Sequence, residues 1–254
     1  MDAARSRDFA LRGLARRAPL GVEDEQLLRR ALSEPELLPA GSELIGEGAL
    51  LERPCLILEG WAARQRILSD GRRQIFSFVL PGDAIGLCAR PDGRALCGVV
   101  ALTAVIVAPV APLGMALKGG GTPALTHLAG AMLALEESSM LKQIVRLGSQ
   151  SAHERLANLL LEFYYRLEQA GLAEEGSFIL PFTQEVLSDA LGLSVVHTNR
   201  TLQLLRREKL IETKGPMVTL IDPAGLARIA DWAGIYPPWI HRGLATSVHS
   251  SSAS

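Results

Sequence analysis

The chain has 254 residues, which is more than one hydrophobic core usually holds, so two domains of ordinary size are expected. Apolar residues make up 48% and charged residues 21%, a composition typical of globular proteins. The formal net charge of -1 excludes any argument from overall basicity, so nucleic-acid binding would have to depend on where the charges lie.

Cysteine usage and hydropathy indicate a cytoplasmic protein. Cys55, Cys88 and Cys97 lack CxxC spacing and a neighbouring His cluster, so we interpret them as small buried side chains, with a redox or metal role as the alternative. The N-terminus scatters arginines and has no apolar segment of the secretory type. Residues 95–117 carry no charge and could span a bilayer, but glycines, prolines and β-branched residues favour buried strands instead.

A short amphipathic helix is predicted at 23–32, where apolar residues recur with helical spacing. From Leu38 to about Val110 short apolar runs alternate with Gly, Pro and Asp-Gly, which is the pattern of strands and turns. Asp70-Gly71 lies between two such runs and predicts a hairpin, because both residues tolerate positive φ.

A long helix is predicted to begin at Thr122 or Pro123 and to end near Gly148. Its apolar residues recur at spacings of three and four, and we interpret this stripe as a coiled-coil-like dimer interface. Packing against its own domain is the alternative. The predicted interface residues are Leu125, Leu128, Met132, Leu135 and Ile144.

A helix-turn-helix is predicted beyond a helix at 153–168. Thr183 is a candidate N-cap for the first helix, Gly192 can end it in the left-handed conformation, and Ser194 can cap the second helix to about Lys209. We expect Leu202, Leu204 and Leu205 to point inward. The second helix has no acid between 194 and 207, so positive charge is concentrated where a DNA groove would lie.

Residues 211–221 predict a tight hairpin, or wing, that could bring Lys214 near phosphate. Asp222-Pro223 predicts the start of a last helix, and the Ser-rich end is expected to be disordered.

The chain resembles the Crp/Fnr family of bacterial transcription regulators over roughly residues 20–235. The resemblance is carried by LPAGSELIGEGAL at 38–50, DGRRQIFSFVLPGDAIG at 70–86 and, most specifically, TQEVLSDALGLSVVHTNRTLQLLRREKLI at 183–211. It implies an α+β fold with an N-terminal antiparallel β-roll, a long dimerisation helix and a C-terminal winged helix-turn-helix. The expected units are residues 1–121, 122–148, 149–240 and a tail at 241–254.

The resemblance places the family's base-reading and phosphate-binding positions on the start of the second helix. Arg200 matches the family pattern and can bond to guanine, whereas Val196 stands where many relatives carry Glu, and Thr198 stands where an apolar residue is usual. The predicted DNA-binding residues are Thr183, Ser194, Val196, His197, Asn199, Arg200, Arg206 and Lys214.

The sensor departs from the cyclic-AMP-binding relatives. Leu87 falls at the position of the Glu that binds ribose, Ala95-Leu96 falls near the Arg-Ser pair that binds phosphate, and Arg94 lies one residue away. A buried cyclic phosphate without those partners would cost several kcal/mol, so conventional cyclic-nucleotide binding is not expected. No iron-sulfur cluster is expected either, since residues 1–54 contain no cysteine.

The sequence therefore predicts a homodimeric regulator that binds double-stranded DNA, with no cofactor, no metal and no membrane association. RNA polymerase and a small-molecule effector of unknown identity are the expected further partners. The alternative is a β-roll interaction module whose helix-turn-helix mediates protein contacts. An enzyme is disfavoured, because the sequence has no nucleophile triad, phosphate loop or metal motif.

Overall fold

The computed structural model describes residues 3–232. It begins with two helices, α1 (Ala3–Ala15) and α2 (Val22–Ala31). The apolar spacing at 23–32 predicted α2, whereas no helix was predicted for the residues of α1. Leu11 and Leu14 of α1 are buried against Leu28 and Leu32, which lie in and just after α2, so the N-terminal segment is part of the core.

Eight strands form two four-stranded antiparallel sheets that enclose an apolar interior. One sheet has the order β1-β8-β3-β6 and the other β2-β7-β4-β5. This confirms the predicted antiparallel β-roll. The strands are β1 (Glu36–Leu38), β2 (Glu43–Ile45), β3 (Cys55–Glu59), β4 (Ala62–Ile67), β5 (Arg73–Val79), β6 (Ala84–Ile85), β7 (Gly98–Ala101) and β8 (Val105–Pro109).

The hairpin between β4 and β5 turns at Asp70-Gly71, as predicted. Gly71 has φ 85°, a left-handed conformation that a glycine adopts without steric cost. The uncharged stretch 95–117 forms β7, β8 and the short helix α3 (Ala111–Leu117), which agrees with the preference for buried strands. Within residues 3–232, no helix combines the length and apolarity needed to cross a membrane.

The long helix α4 (Pro123–Ser149) follows, and α5 (Ala152–Gln169) comes directly after it. The helix begins at Pro123, as predicted, and Thr122 caps it, because its side chain accepts a hydrogen bond from the Leu125 amide at 3.2 Å. Ser151 and Glu154 form a reciprocal capping box at the start of α5, which makes the two-residue break between the helices sharp.

The C-terminal unit is a winged helix-turn-helix, as predicted. A third antiparallel sheet has the order β11-β12-β10-β9, and its β11–β12 hairpin is the wing. The predicted tail at 241–254 lies outside the described residues. The elements are β9 (Ala173–Glu174), β10 (Ser177–Ile179), α6 (Gln184–Leu191), α7 (Val195–Arg207), β11 (Ile211–Lys214), β12 (Met217–Leu220) and α8 (Pro223–Ile229).

The β-roll and the C-terminal unit share one aromatic core. Trp61 and Phe78 come from the roll, and they pack on Phe163 of α5 and on Phe182, just before α6. Ring centroids lie 5.1 Å apart for Trp61 and Phe163 and 4.8 Å apart for Phe78 and Phe163, in edge-to-face geometry. The position of the helix-turn-helix is therefore set by side chains of the roll.

Candidate DNA-binding surface

The turn between α6 and α7 has the geometry that the sequence predicted. Gly192 ends α6 with φ 64°, and Leu193 packs against the core. Ser194 caps α7, because its hydroxyl accepts a hydrogen bond from the His197 amide at 3.2 Å. The first turn of α7 is thereby fixed relative to α6.

A buried hydroxyl pair explains Thr198, which departs from the family pattern. Thr198 is fully buried, and its hydroxyl accepts a hydrogen bond of 2.9 Å from Ser188 of α6. Leu205 packs on the same side of α7, but Leu204 is exposed, so the prediction that Leu204 points inward was wrong. Thr198 is followed three and seven residues later by the buried Thr201 and Leu205, so these three define the inner face of α7.

The opposite face of α7 presents Val196, His197 and Arg200 to solvent. The side chain of Arg200 makes no hydrogen bond or ion pair with any other residue in the described part of the chain. Its donors are therefore available to an external acceptor. Val196 is 61% exposed, which places an apolar side chain on a surface where burial against DNA would remove it from water.

Asn199 is held within the chain. Its side-chain amide donates to Gln184 Oε1 at 2.9 Å, and its carbonyl oxygen accepts from Gln203 Nε2 at 2.9 Å. Asn199 therefore links α7 to the start of α6, and any contact it makes with DNA competes with these bonds. Gln184 was missed by sequence analysis, because its role depends on a side chain fifteen residues away.

The other predicted DNA-binding residues lie around this face. Thr183 occupies the N-cap position of α6, as predicted, and it is exposed, but its side chain makes no capping hydrogen bond. Lys214 is exposed at the wing tip beside Gly215, whose φ is 60°. Arg206 is exposed in the last turn of α7, well away from its first turn.

Two of the acids that flank this surface contact basic side chains. Asp189 of α6 forms an ion pair with Arg73 of the roll at 2.7 Å, and Glu208 contacts the His153 ring at 2.8 Å. Arg73 was not singled out from the sequence, because only the fold brings β5 to α6. The pairing with Arg73 reduces the negative charge that Asp189 would project toward a phosphate backbone.

The burial of three residues contradicts their predicted role in the dimer interface. Leu125, Leu128 and Met132 are buried in the core formed with α1, α2, β3 and α3, so packing within their own domain was the right alternative for them. Leu135 is half-buried, whereas Ile144 is 67% exposed. Of the five predicted residues, Ile144 is the most available to a second copy.

The sensor region shows an ion pair beside the roll. Arg64 of β4 and Glu136 of α4 form two contacts, at 2.9 and 3.0 Å, and both side chains are largely buried. Arg94 is exposed and donates to the Gly48 carbonyl at 2.9 Å, and Leu87 packs against the core. These positions do not assemble a cradle for a cyclic phosphate.

The cysteines are less buried than predicted. Cys88 is exposed, and Cys55 and Cys97 are half-buried. Desolvation raises the pKa of all three thiols above its ordinary value. A raised pKa lowers the thiolate fraction, so the structure gives no support to a reactive thiol.

Two protein families match this chain. Residues 35–111 match the cyclic nucleotide-binding domain, and residues 154–229 match the Crp-like helix-turn-helix domain. The first match covers the β-roll, and the second covers α5 to α8, with the surface described above.

Similar proteins are bacterial regulators. The chain is 30% identical over 215 residues to the transcriptional activatory protein AadR of Rhodopseudomonas palustris, which covers 84% of this chain and 88% of that protein. It is 33% identical over 179 residues to the nitrogen fixation regulation protein FixK of Bradyrhizobium diazoefficiens, covering 68% and 72% of the two chains. The solved structure of FixK2 from Bradyrhizobium japonicum aligns with a TM-score of 0.69 at 27% identity, covering 77% of this chain and 96% of that one.

Proposed function

Since this chain belongs to the Crp/Fnr family of transcription regulators, we propose that it binds a palindromic DNA site as a homodimer and reads it with α7. The observation that carries the proposal is Arg200, which is exposed on the outer face of α7 and has no intrachain partner among the described residues. A guanidinium in this position can bond to O6 and N7 of guanine in the major groove.

The neighbours of Arg200 divide into base-reading and positioning roles. Val196 offers only an apolar surface, which suits a thymine methyl group and does not accept a hydrogen bond from cytosine. Thr183 and Lys214 flank α7 at the start of α6 and at the wing, where they can contact phosphate on either side of the groove. Asn199 holds α6 and α7 together through Gln184.

The dimer is supported by the second half of α4. Leu141, Ile144 and Val145 are exposed there, at 53%, 67% and 49%, on a helix whose other face is covered by its own chain. An exposed apolar stripe on a long helix suits pairing with the same stripe of a second copy. Two-fold pairing would present two α7 helices to major grooves about 34 Å apart along the DNA.

The effector that acts through the roll is not a conventionally bound cyclic nucleotide. Leu87 packs against the core and has no polar side-chain group for a ribose, and the charge of Arg94 is paired with Asp92 at 4.0 Å, so neither supplies the ribose or phosphate contacts of cyclic-AMP-binding relatives. Calorimetry should accordingly detect no binding of cyclic AMP at physiological concentrations.

The test uses a DNA site selected from a random pool and measures binding by fluorescence anisotropy at several salt concentrations. Arg200→Ala should lower specific affinity by about two orders of magnitude or more, because a lost bidentate base contact costs about 1–3 kcal/mol and the dimer uses it twice. Binding to random DNA should change much less, since phosphate charge dominates it.

Two further variants complete the test. Lys214→Ala should weaken binding to all sequences alike and reduce the salt slope by about one per subunit. Arg90→Ala removes an exposed arginine from the loop between β6 and β7 and serves as the charge-matched control. If folded Arg200→Ala protein keeps the preference of the wild type for the selected site, α7 is not the reading helix.

A further inference from the structure

A cavity of about 360 Å³ lies where four parts of the molecule meet. Its walls come from α1, from the turn between β5 and β6, from the middle of α4 and from the end of α5. The volume is within the range of sites that hold small molecules. The cavity is separate from the α7 surface and does not include Leu87 or Arg94.

Arginines from three parts of the chain line the cavity. Arg16 and Arg17 follow α1, Arg64 comes from β4, and Arg166 comes from α5, whereas Asp83 and Glu136 are the two carboxylates of the lining. The wall therefore carries two more positive than negative charges. Glu162, which lies behind the wall and contacts Arg166, does not remove the excess, because Arg146 contacts the same carboxylate.

Arg16, Arg17 and Arg64 keep N–H donors for another acceptor, although Arg64 also contacts Glu136. Arg16 donates to the Gln169 carbonyl at 3.1 Å, Arg17 to the Gly82 carbonyl at 2.6 Å, and Arg64 to the Ala84 carbonyl at 2.9 Å. Backbone carbonyls satisfy N–H groups but carry no net charge, and each guanidinium has five N–H donors. A carboxylate, sulfonate or phosphate group would supply the missing negative charge and accept several of these bonds.

Burial dominates the pKa shifts of two groups in the cavity wall. Burial lowers the pKa of Arg17; Asp83 opposes this shift, and the positive charges of Arg166 and Arg16 add to it. Burial also raises the pKa of the Glu136 carboxyl, although Arg64 opposes that change. The contributions of Arg166 and Arg16 at Arg17 reflect the positive charges gathered at this wall, whereas the shift of Glu136 reflects its burial.

Apart from Ser139 and Gln169, the remaining side chains of the wall are apolar. Phe9 of α1, Phe78 and Leu80 of the roll, and Met132 and Leu135 of α4 face the cavity. A ligand for this site would need an apolar body as well as an anionic group, because an inorganic anion would leave these side chains in contact with water. The half-buried position of Leu135 is explained in this way, since it faces the cavity.

We propose that this cavity binds a small organic anion with an apolar body. The ligand would touch α1, the roll, α4 and α5 together, so it would fix the roll against the first helix of the DNA-binding unit. An effect of this ligand on DNA binding rests on the proposed function. Binding of the ligand to the cavity does not, and it can be measured without DNA.

The probe pair is 8-anilinonaphthalene-1-sulfonate and the uncharged N-phenyl-1-naphthylamine, which shares its rings but lacks the sulfonate. The full-length protein should bind one sulfonate probe per chain, and the uncharged probe more weakly by about tenfold or more, since charge-assisted bonds are the stronger kind. Equal affinity for the two probes would overturn the proposal.

Substitutions at Gly13 locate the probe. Gly13 lines the cavity on α1, and a Cβ built there meets nothing within 4 Å, so Gly13→Leu should fill the cavity without backbone strain. Gly13→Leu should weaken the sulfonate probe about tenfold or more, whereas Gly13→Ala, the matched control, leaves most of the volume open. If both variants bind the probe as tightly as wild type, it binds elsewhere and the proposal fails.

A second pair of variants does not depend on how Gly13→Leu folds. Arg16→Gln should weaken the sulfonate probe about threefold or more and leave the uncharged probe unchanged, because it removes one cation of the wall. Arg12→Gln removes an exposed arginine of α1 that does not line the cavity, and it should change neither affinity. An equal effect of the two substitutions would show that overall charge, rather than the cavity, attracts the probe.

Discussion

The two halves of α4 bury opposite kinds of side chain. In the first half the buried residues are apolar, and Leu128 is fully enclosed by other elements of the same domain. In the second half the buried residues are Lys142, Gln143 and Arg146, whereas the apolar Leu141, Ile144 and Val145 are exposed. The first turns of α4 therefore bury apolar side chains in the core. Its last turns bury polar side chains and expose apolar ones.

The buried polar face of the second half connects the two units. Gln143 donates to the backbone carbonyls of Ile75 in the roll and Ala190 in α6, and Arg146 pairs with Glu162 of α5 at 2.6 Å. Such contacts require hydrogen-bonding side chains, so the apolar residues of this half are left for the opposite side. Apolar periodicity alone therefore does not show which face of a helix packs against its own chain.

The largest effect on folding is expected in the first half. Leu128→Ala should lower the free energy of unfolding by about 2–5 kcal/mol, because it leaves a cavity in a closed core. Ile144→Ala is the matched control and should change the stability of the monomer by no more than about 0.5 kcal/mol. Urea denaturation measures both, and similar losses at the two sites would contradict the division of α4.

The next effect concerns assembly. Ile144→Asp should weaken the dimer about 100-fold or more, roughly 2.7 kcal/mol, since two-fold symmetry places the charge in the interface twice. Met115→Asp changes an exposed apolar residue of α3 and should leave the dimer intact. Sedimentation equilibrium separates the outcomes, and an unchanged dimer in Ile144→Asp would remove this half of α4 from the interface.

A third effect is a change in the pH dependence of stability. Burial lowers the pKa of Lys142 to about 7; Glu162 opposes the shift, and Arg166 and Arg146 add to it. Between pH 7 and the ordinary pKa of lysine the unfolded chain binds the extra proton, so the free energy of unfolding should rise with pH, by up to about 1.4 kcal/mol per unit.

Lys142→Met should remove that contribution, so its difference in stability from wild type should change steadily between pH 7 and 10. Lys118→Met, at an exposed lysine after α3, should show a constant difference. Urea denaturation at each pH is the measurement. A parallel pair of curves for Lys142→Met and wild type would mean that the side chain is solvated.

The helix-turn-helix was predictable because its signals are local. Gly192 ends one helix, Ser194 caps the next, and the wing turns at Gly215, all within about thirty residues. The strands and turns of the β-roll were predictable from the alternation of short apolar runs with Gly, Pro and Asp-Gly. The packing of the first half of α4 was not predictable, because α1, α2 and β3, which pack around Leu128 together with the neighbouring α3, are far away in sequence.

In the candidate site, too, the side-chain roles that depend on local sequence were predictable and those that depend on tertiary contacts were not. Exposure of Arg200 could be predicted from helical spacing, whereas the engagement of Asn199 by Gln184 depends on how two helices meet. The pairing of Asp189 with Arg73 needs the docking of the roll on α6. The cavity was invisible to sequence analysis for the same reason, since its walls come from four separate parts of the chain.

The aromatic core shared by the roll and the C-terminal unit makes their folding cooperative. Phe78 and Phe182 stack with ring centroids 5.2 Å apart, so neither unit can unfold without exposing rings of the other. We therefore expect the two units to melt in one transition rather than two, although they correspond to separate families. A destabilising substitution inside the roll consequently lowers the population of molecules able to bind DNA, even when α7 is unchanged.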